Sequence, residues 1–289
     1  METQKKAPAA AAILAAAALW GVIGLWNRRL MAAGLSPTSI VAVRNFGGMI
    51  LLSLLFSVKD RSVFQVERKH LKYFFGTGVV SVLFFTVCYF SCQKLCSLAT
   101  ASILLYTAPS FVVVLSAILW KEPVGGKKIA ALALTFLGCA LVCGVFDHGL
   151  TVSAPGVLLG LGSGFFYALY SVFGRYALAH YGSMTVTLWT FLFAGPFSLL
   201  LVRPAELAAA FSVPSNWLTA LVLAAVSTAV PYILYTWGLA RMEPGRASIL
   251  ASLEPVAAAL TGVLAFGEPM GPSTAVGICC VLAGVIILR

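Results

Sequence analysis

Ala101-Ser102-Ile103-Leu104-Leu105-Tyr106-Thr107-Ala108-Pro109, followed by Lys121-Glu122-Pro123, decides the fold, because its pattern returns 146 residues later. Ala247-Ser248-Ile249-Leu250 repeats residues 101–104. At the same offset Pro109 falls on Pro255, Glu122 on Glu268, Pro123 on Pro269, Gly125 on Gly271 and Gly138 on Gly284. The matches concentrate at Pro, Gly and Glu. Both copies sit inside apolar runs, and a helix needs about 20 apolar residues to cross a hydrocarbon core. Breaking the runs at charges, Pro and Gly predicts ten spans, at 9–30, 36–57, 71–95, 99–120, 126–146, 155–178, 184–202, 215–240, 245–266 and 272–288. The offset divides them into two units, residues 1–148 and 149–289, of five spans each. Five is odd, so the second unit enters the membrane upside down. Inverted repeats of this kind mark secondary transporters, whose sites lie near the midplane between the halves.

Composition supports an embedded chain. Of 289 residues 61% are hydrophobic and only 10% charged, with a mean hydropathy of +0.99. A soluble domain carries about 25% charged residues, so nine acids and nineteen bases leave too little polar surface for a soluble globule. The net charge of +10 does not point to nucleic acid, because the basic residues are scattered singly between apolar runs. The seven cysteines read as small buried hydrophobes rather than a disulfide framework or a zinc site. No metal or other cofactor is expected.

Basic loops stay cytoplasmic. With the N-terminus inside, fourteen Lys and Arg fall at inner ends and four (Arg28, Arg29, Lys94 and Arg203) at outer ends. Both termini are therefore expected in the cytoplasm, and the chain in the cytoplasmic membrane as a multi-pass protein. Segment 58–72 alternates basic and apolar residues, as expected of a stretch lying along anionic headgroups.

Ser102 to Pro109 with Lys121-Glu122-Pro123, and Ala251-Ser252-Leu253-Glu254-Pro255-Val256 with Phe266-Gly267-Glu268-Pro269, resemble the paired signatures of the EamA-domain family in the drug/metabolite transporter superfamily. Trp20-Gly21 and Arg44 also sit where that family commonly has Trp-Gly and Arg-Phe, although here Asn45 separates Arg44 from Phe46. The resemblance implies an all-α membrane protein of ten transmembrane helices in two inverted five-helix repeats. It also implies a central cavity lined mainly by spans 3, 4, 8 and 9.

Ionisable groups inside a bilayer cost at least about 2.5–3.5 kcal/mol on insertion scales, which singles out Glu254 and Arg44. Counting residues from the span ends at 1.5 Å each puts both near the midplane, roughly 5 Å apart in depth. Pro255 and Pro109 each free a carbonyl four residues back, marking spans 4 and 9 as hinged and flanking the pathway. Tyr89 and Tyr235 match at the 146 offset and read as aromatic gates, with Tyr106, Trp237 and Trp20 as further lining residues. For each aromatic the plain alternative is an interfacial anchor. Gly156, Gly160 and Gly164 read as a helix-packing stripe. Glu122 and Glu268 read as helix-end groups, and Asp147-His148 as a solvated turn.

These readings converge on a secondary transporter of a small organic metabolite (an amino acid, amine or related solute). It works by alternating access, more in the sense of export than uptake. Uptake of a cationic amine and a non-transporting membrane scaffold are the alternatives. An intramembrane enzyme is disfavoured because His70, His148 and His180 all sit at loop ends, without metal or acid–base geometry. The sequence holds no Walker-type phosphate loop. Any coupling would use a proton or ion gradient, or the solute's own gradient. The expected partners are the solute and the lipid bilayer, not nucleic acid; the oligomeric state is not legible.

Overall fold

The computed structural model describes residues 2–145 and 152–288, with side chains from residue 7 onward. Asp147, His148, Arg289 and the side chains of Lys5 and Lys6 lie outside the described residues. All regular elements among the described residues are helical. Eight helical runs are long and apolar enough to cross a membrane: Ala7–Ala32, Pro37–Lys59, Arg68–Gln93, Leu98–Trp120, Ala154–Leu178, Ser183–Leu201, Pro214–Leu239 and Pro244–Phe266. The predicted fifth and tenth spans are shorter helices, α8 (Gly126–Val142) and α16 (Pro272–Leu288), each of 17 residues. At 1.5 Å per residue that is about 25 Å, slightly short of a ~30 Å core.

Several of the runs are interrupted. The first is α1 (Glu2–Gly21) and α2 (Ile23–Ala32), separated at Val22. The second, α3 (Pro37–Lys59), starts where Ser36 Oγ accepts the Ser39 N–H and Pro37 fills the first turn, whose N–H groups have no helical partner. The third passes from α4 (Leu71–Phe75) through a π-helical segment, Gly76–Leu83, to α5 (Phe84–Gln93). The fourth divides into α6 (Leu98–Leu105) and α7 (Ala108–Trp120). Then come α9 (Ala154–Leu178), α10 (Ser183–Ser198) and a short α11 (Pro204–Ala210) that lies between the predicted spans 184–202 and 215–240. The eighth run is α12 (Pro214–Ala224), a π-helical segment at Ala225–Ala229 and α13 (Val230–Leu239). The ninth is α14 (Pro244–Ala251) and α15 (Glu254–Phe266).

The interruptions recur at the 146 offset. The gap after Leu105 maps onto the gap after Ala251, and residues 76–83 shift onto 222–229, which contains the second π segment. At both gaps the next N–H groups tighten: Thr107 N bonds Leu104 O, Ser252 N bonds Ile249 O and Leu253 N bonds Leu250 O. In the second π segment the Thr228 hydroxyl donates to Leu223 O at 3.0 Å. The stops recur too. Lys121 and Gly267 both adopt left-handed backbone, at φ 54° and 66°, a helix C-cap conformation. Glu122 N then reaches back to Ser116 O, and Glu268 N to Gly262 O.

Small residues set the close packing. α8 lies on α16, and a Cβ on Gly138 would stand 2.7 Å from Gly277 O, while one on Gly277 would stand 2.8 Å from Gly138 O. On α9, Gly156 faces Leu95 and Cys96, Gly160 faces Leu104, and Gly164 faces Leu104 O, Leu105 O and Thr107. The glycine stripe is therefore a packing face, set against the gap in the fourth run. α1 packs on α13, α14 and α15, and α10 packs on α3. The largest buried cluster joins Trp20, Tyr170, Leu188, Phe191, Tyr232 and Tyr235.

Candidate functional site

Within that cluster is a small cavity lined by Trp20, Ser81, Val82, Phe85, Tyr167, Tyr170, Ser171, Tyr232 and Tyr235. Its walls come from α1, the first π segment, α5, α9 and α13. π segments often occur at functional sites, because the extra residue re-aims side chains. Four rings form a box: Trp20 lies 5.2 Å from Tyr232 and 5.5 Å from Tyr235, and Tyr170 lies 5.2 Å from Tyr232, edge to face. Buried phenols need partners. Tyr170 Oη pairs with Thr236 Oγ1 at 2.7 Å, and Tyr235 Oη with Ser171 Oγ at 2.8 Å, which fixes both rings.

Arg44, on α3, acts electrostatically on Tyr167 and Tyr232 of this cavity and on Glu254. Its Nε is buried with no hydrogen-bond partner. Glu254 stands at the first position of α15, where the positive end of the helix dipole favours a carboxylate. Its charge reaches Tyr89, Tyr106, Tyr167, Tyr232 and Cys143. Arg44 and Glu254 are both half-buried, and among the described residues no ion pair within 4.0 Å joins them. Two opposite charges thus sit within each other's field without closing on each other.

Gly21 explains how α1 reaches this place. A Cβ there would lie 2.8 Å from Glu254 O, so the glycine lets α1 touch the backbone at the gap in the ninth run. The adjacent Trp20 is buried and enters the aromatic box. Pro109 and Pro255 are both buried, one residue inside α7 and α15.

The other sequence-selected residues divide into two groups. Tyr89 and Tyr106 lie around Glu254 rather than in the box. The Tyr89 hydroxyl meets Ser102 Oγ at 3.2 Å, and Tyr106 occupies the gap between α6 and α7. Trp237 is placed outside the box: the Arg241 guanidinium covers its ring at 3.9 Å, and Arg241 Nη1 bonds its carbonyl. Tyr170, Ser171, Tyr167 and Tyr232 were missed. Tyr232 and Tyr235 share one helix face, and that spacing was the available signal. The general habit of tyrosines to sit at membrane interfaces hid it.

A family model described as the EamA-like transporter family matches residues 7–144 and again 154–289. The chain belongs to the EamA-like transporter family. It is an integral membrane protein of a transporter family, not of an enzyme family. An uncharacterized transporter of Archaeoglobus fulgidus is 32% identical over 96% of this chain and 94% of its own length. The threonine/homoserine exporter RhtA of Escherichia coli is 27% identical over 84% of this chain and 79% of its own. A solved structure described only as a protein crystal structure superposes with a TM-score of 0.82 at 20% identity, covering 98% of this chain and 96% of the other, a likeness of fold.

Proposed function

We propose that this EamA-family chain is a secondary transporter of a small zwitterionic solute of the amino acid type, working by alternating access and more as an exporter than an importer. The observation that carries the reading is the unclosed pair of Arg44 and Glu254 beside an aromatic cavity. A carboxylate on the solute would complete the Arg44 guanidinium, whose Nε lacks a partner, and an ammonium group would meet Glu254 and the ring faces. The similarity to RhtA, an exporter of threonine and homoserine, supports the amino acid class and the direction.

In this reading the molecule is two inverted five-helix units, 1–148 and 149–289, with both termini on the cytoplasmic side of the cytoplasmic membrane. The two family-model matches, the paired gaps and the paired π segments support that division. The units rock around the site and flex at Pro109 and Pro255. Glu254 is the proton-carrying or cation-binding group. In proteoliposomes Glu254→Gln is expected to abolish gradient-coupled flux. Arg44→Gln is expected to abolish the thermal stabilisation given by amino acids, while leaving any stabilisation by simple amines. Unchanged flux and pH dependence in Glu254→Gln would overturn the role given to the carboxylate.

A further inference from the structure

The two glutamates of the repeated Glu-Pro motif lie at opposite ends of the helix bundle, and each is tied to the other half of the chain. Glu122 follows α7, and Lys128 begins α8 at the same end. Lys128 Nζ lies 3.8 Å from Glu122 Oε2 and 2.9 Å from Glu243 Oε2, and Glu243 immediately precedes α14. Glu122 Oε2 also faces Gly245 of that second half. At the other end Glu268 follows α15 and pairs with Arg28 of α2 at 2.5 Å. The Arg28 guanidinium also lies 4.0 Å over the Phe266 ring. Gly262 leaves room for this carboxylate, because a Cβ there would strike Glu268 Oε2.

Each end thus carries an ion cluster that crosses between the halves and includes a glutamate of the repeated motif: Glu268 pairs across directly, whereas Glu122 shares Lys128 with Glu243 of the other half. Packing alone does not require this. The left-handed caps satisfy the backbone at both stops without any help from the carboxylates. The two clusters also differ in shelter. Lys128 and Glu122 side chains are only 10% and 8% exposed, with Glu243 at 46%, whereas both partners of the other pair, Arg28 and Glu268, are open at 55% and 46%.

We infer that the Lys128–Glu122/Glu243 cluster and the Arg28–Glu268 pair are the two locks of the transport path, one at each end, each broken when its own end opens. The inference rests on the alternating-access reading. Both ion clusters are formed in this structure. A cluster built on a sheltered lysine is costly to break one-sidedly, while a pair exposed on both sides is weakly held. The end carrying Arg28–Glu268 therefore opens first.

Hydrogen–deuterium exchange on the purified full chain tests this without needing the solute. Glu268→Gln is expected to speed exchange about two- to five-fold in peptides covering 23–32 and 266–272, leaving 121–128 and 240–246 at wild-type rates. Glu243→Gln is expected to do the reverse, by about tenfold or more, because it strips the buried lysine of its nearer partner. The charge swap Arg28→Glu with Glu268→Arg restores wild-type exchange at its end. It keeps the pair while exchanging both side chains, so a rescue is not explained by packing. No change, equal change at both ends, or a swap that fails to restore protection overturns the inference. A failure of the transport reading shows separately, as normal coupled flux in Glu254→Gln.

Discussion

Arg44 and Glu254 owe their importance to what each lacks. Each is only half-buried, with Arg44 Nε unpartnered and no close ion pair between the two, so the desolvation cost of both charges is only partly offset by their mutual field. Such a cost is tolerated where a ligand completes the site. Lys121 poses the opposite case, a residue whose side chain is incidental and whose backbone matters. It is the one non-glycine with positive φ among the described residues, and its counterpart at the repeat offset is Gly267. A left-handed conformation costs a side-chain-bearing residue roughly 1 kcal/mol. Lys121→Gly is therefore expected to raise the thermal midpoint in detergent, by an amount equivalent to about 0.5–1 kcal/mol, with flux unchanged.

At the scale of elements, α3 is held at its N-terminus by a residue far away in sequence. Glu206 on α11 accepts from Ser36 N at 3.0 Å, Ser36 Oγ at 2.6 Å and Ser39 Oγ at 2.8 Å. These hydrogen bonds stabilise the carboxylate and draw Glu206 down from 4.5 to about 2. The folded value is the lower one, so the stabilisation is complete above 4.5 and is lost as pH falls toward 2. Glu206→Gln is expected to unfold at a lower temperature than wild type at neutral pH. The difference should shrink as the pH is lowered through that interval; a gap independent of pH would contradict the assignment. The α8–α16 contact gives a second expectation. Gly138→Ala or Gly277→Ala would drive a methyl into a facing carbonyl within 3 Å, and should cost about 1–3 kcal/mol in thermal unfolding.

For the whole molecule, alternation of the runs places Arg61 and Lys69 at the end shared with Glu243, and Lys94 at the end shared with Arg28 and Glu268. With the termini inside, trypsin should cut after Arg61 or Lys69 in inside-out vesicles and leave right-side-out vesicles intact there. Cleavage from the outside would invert the orientation and exchange which lock faces the cytoplasm.

Helical spans were legible because lipid imposes a blunt rule: about 20 apolar residues, broken by charge, Pro and Gly. The repeat was legible because its matches fall on residues with backbone consequences. Pro109 and Pro255 announce a missing N–H. The two π segments were not legible, since residues 76–83 and 225–229 read as ordinary apolar helix and the extra residue per turn is set by packing between runs. The aromatic box was not legible either. Whether Tyr170, Tyr232 or Trp237 faces a cavity, a neighbour or a headgroup depends on how helices rotate against one another, and periodicity within one helix is silent on that. Sequence thus determined an embedded, twofold-repeated helical chain with two intramembrane charges. Tertiary structure alone decided that those charges lie in one field beside four rings, and that the two Glu-Pro stops reach across to the opposite half, because both depend on contacts between segments more than a hundred residues apart.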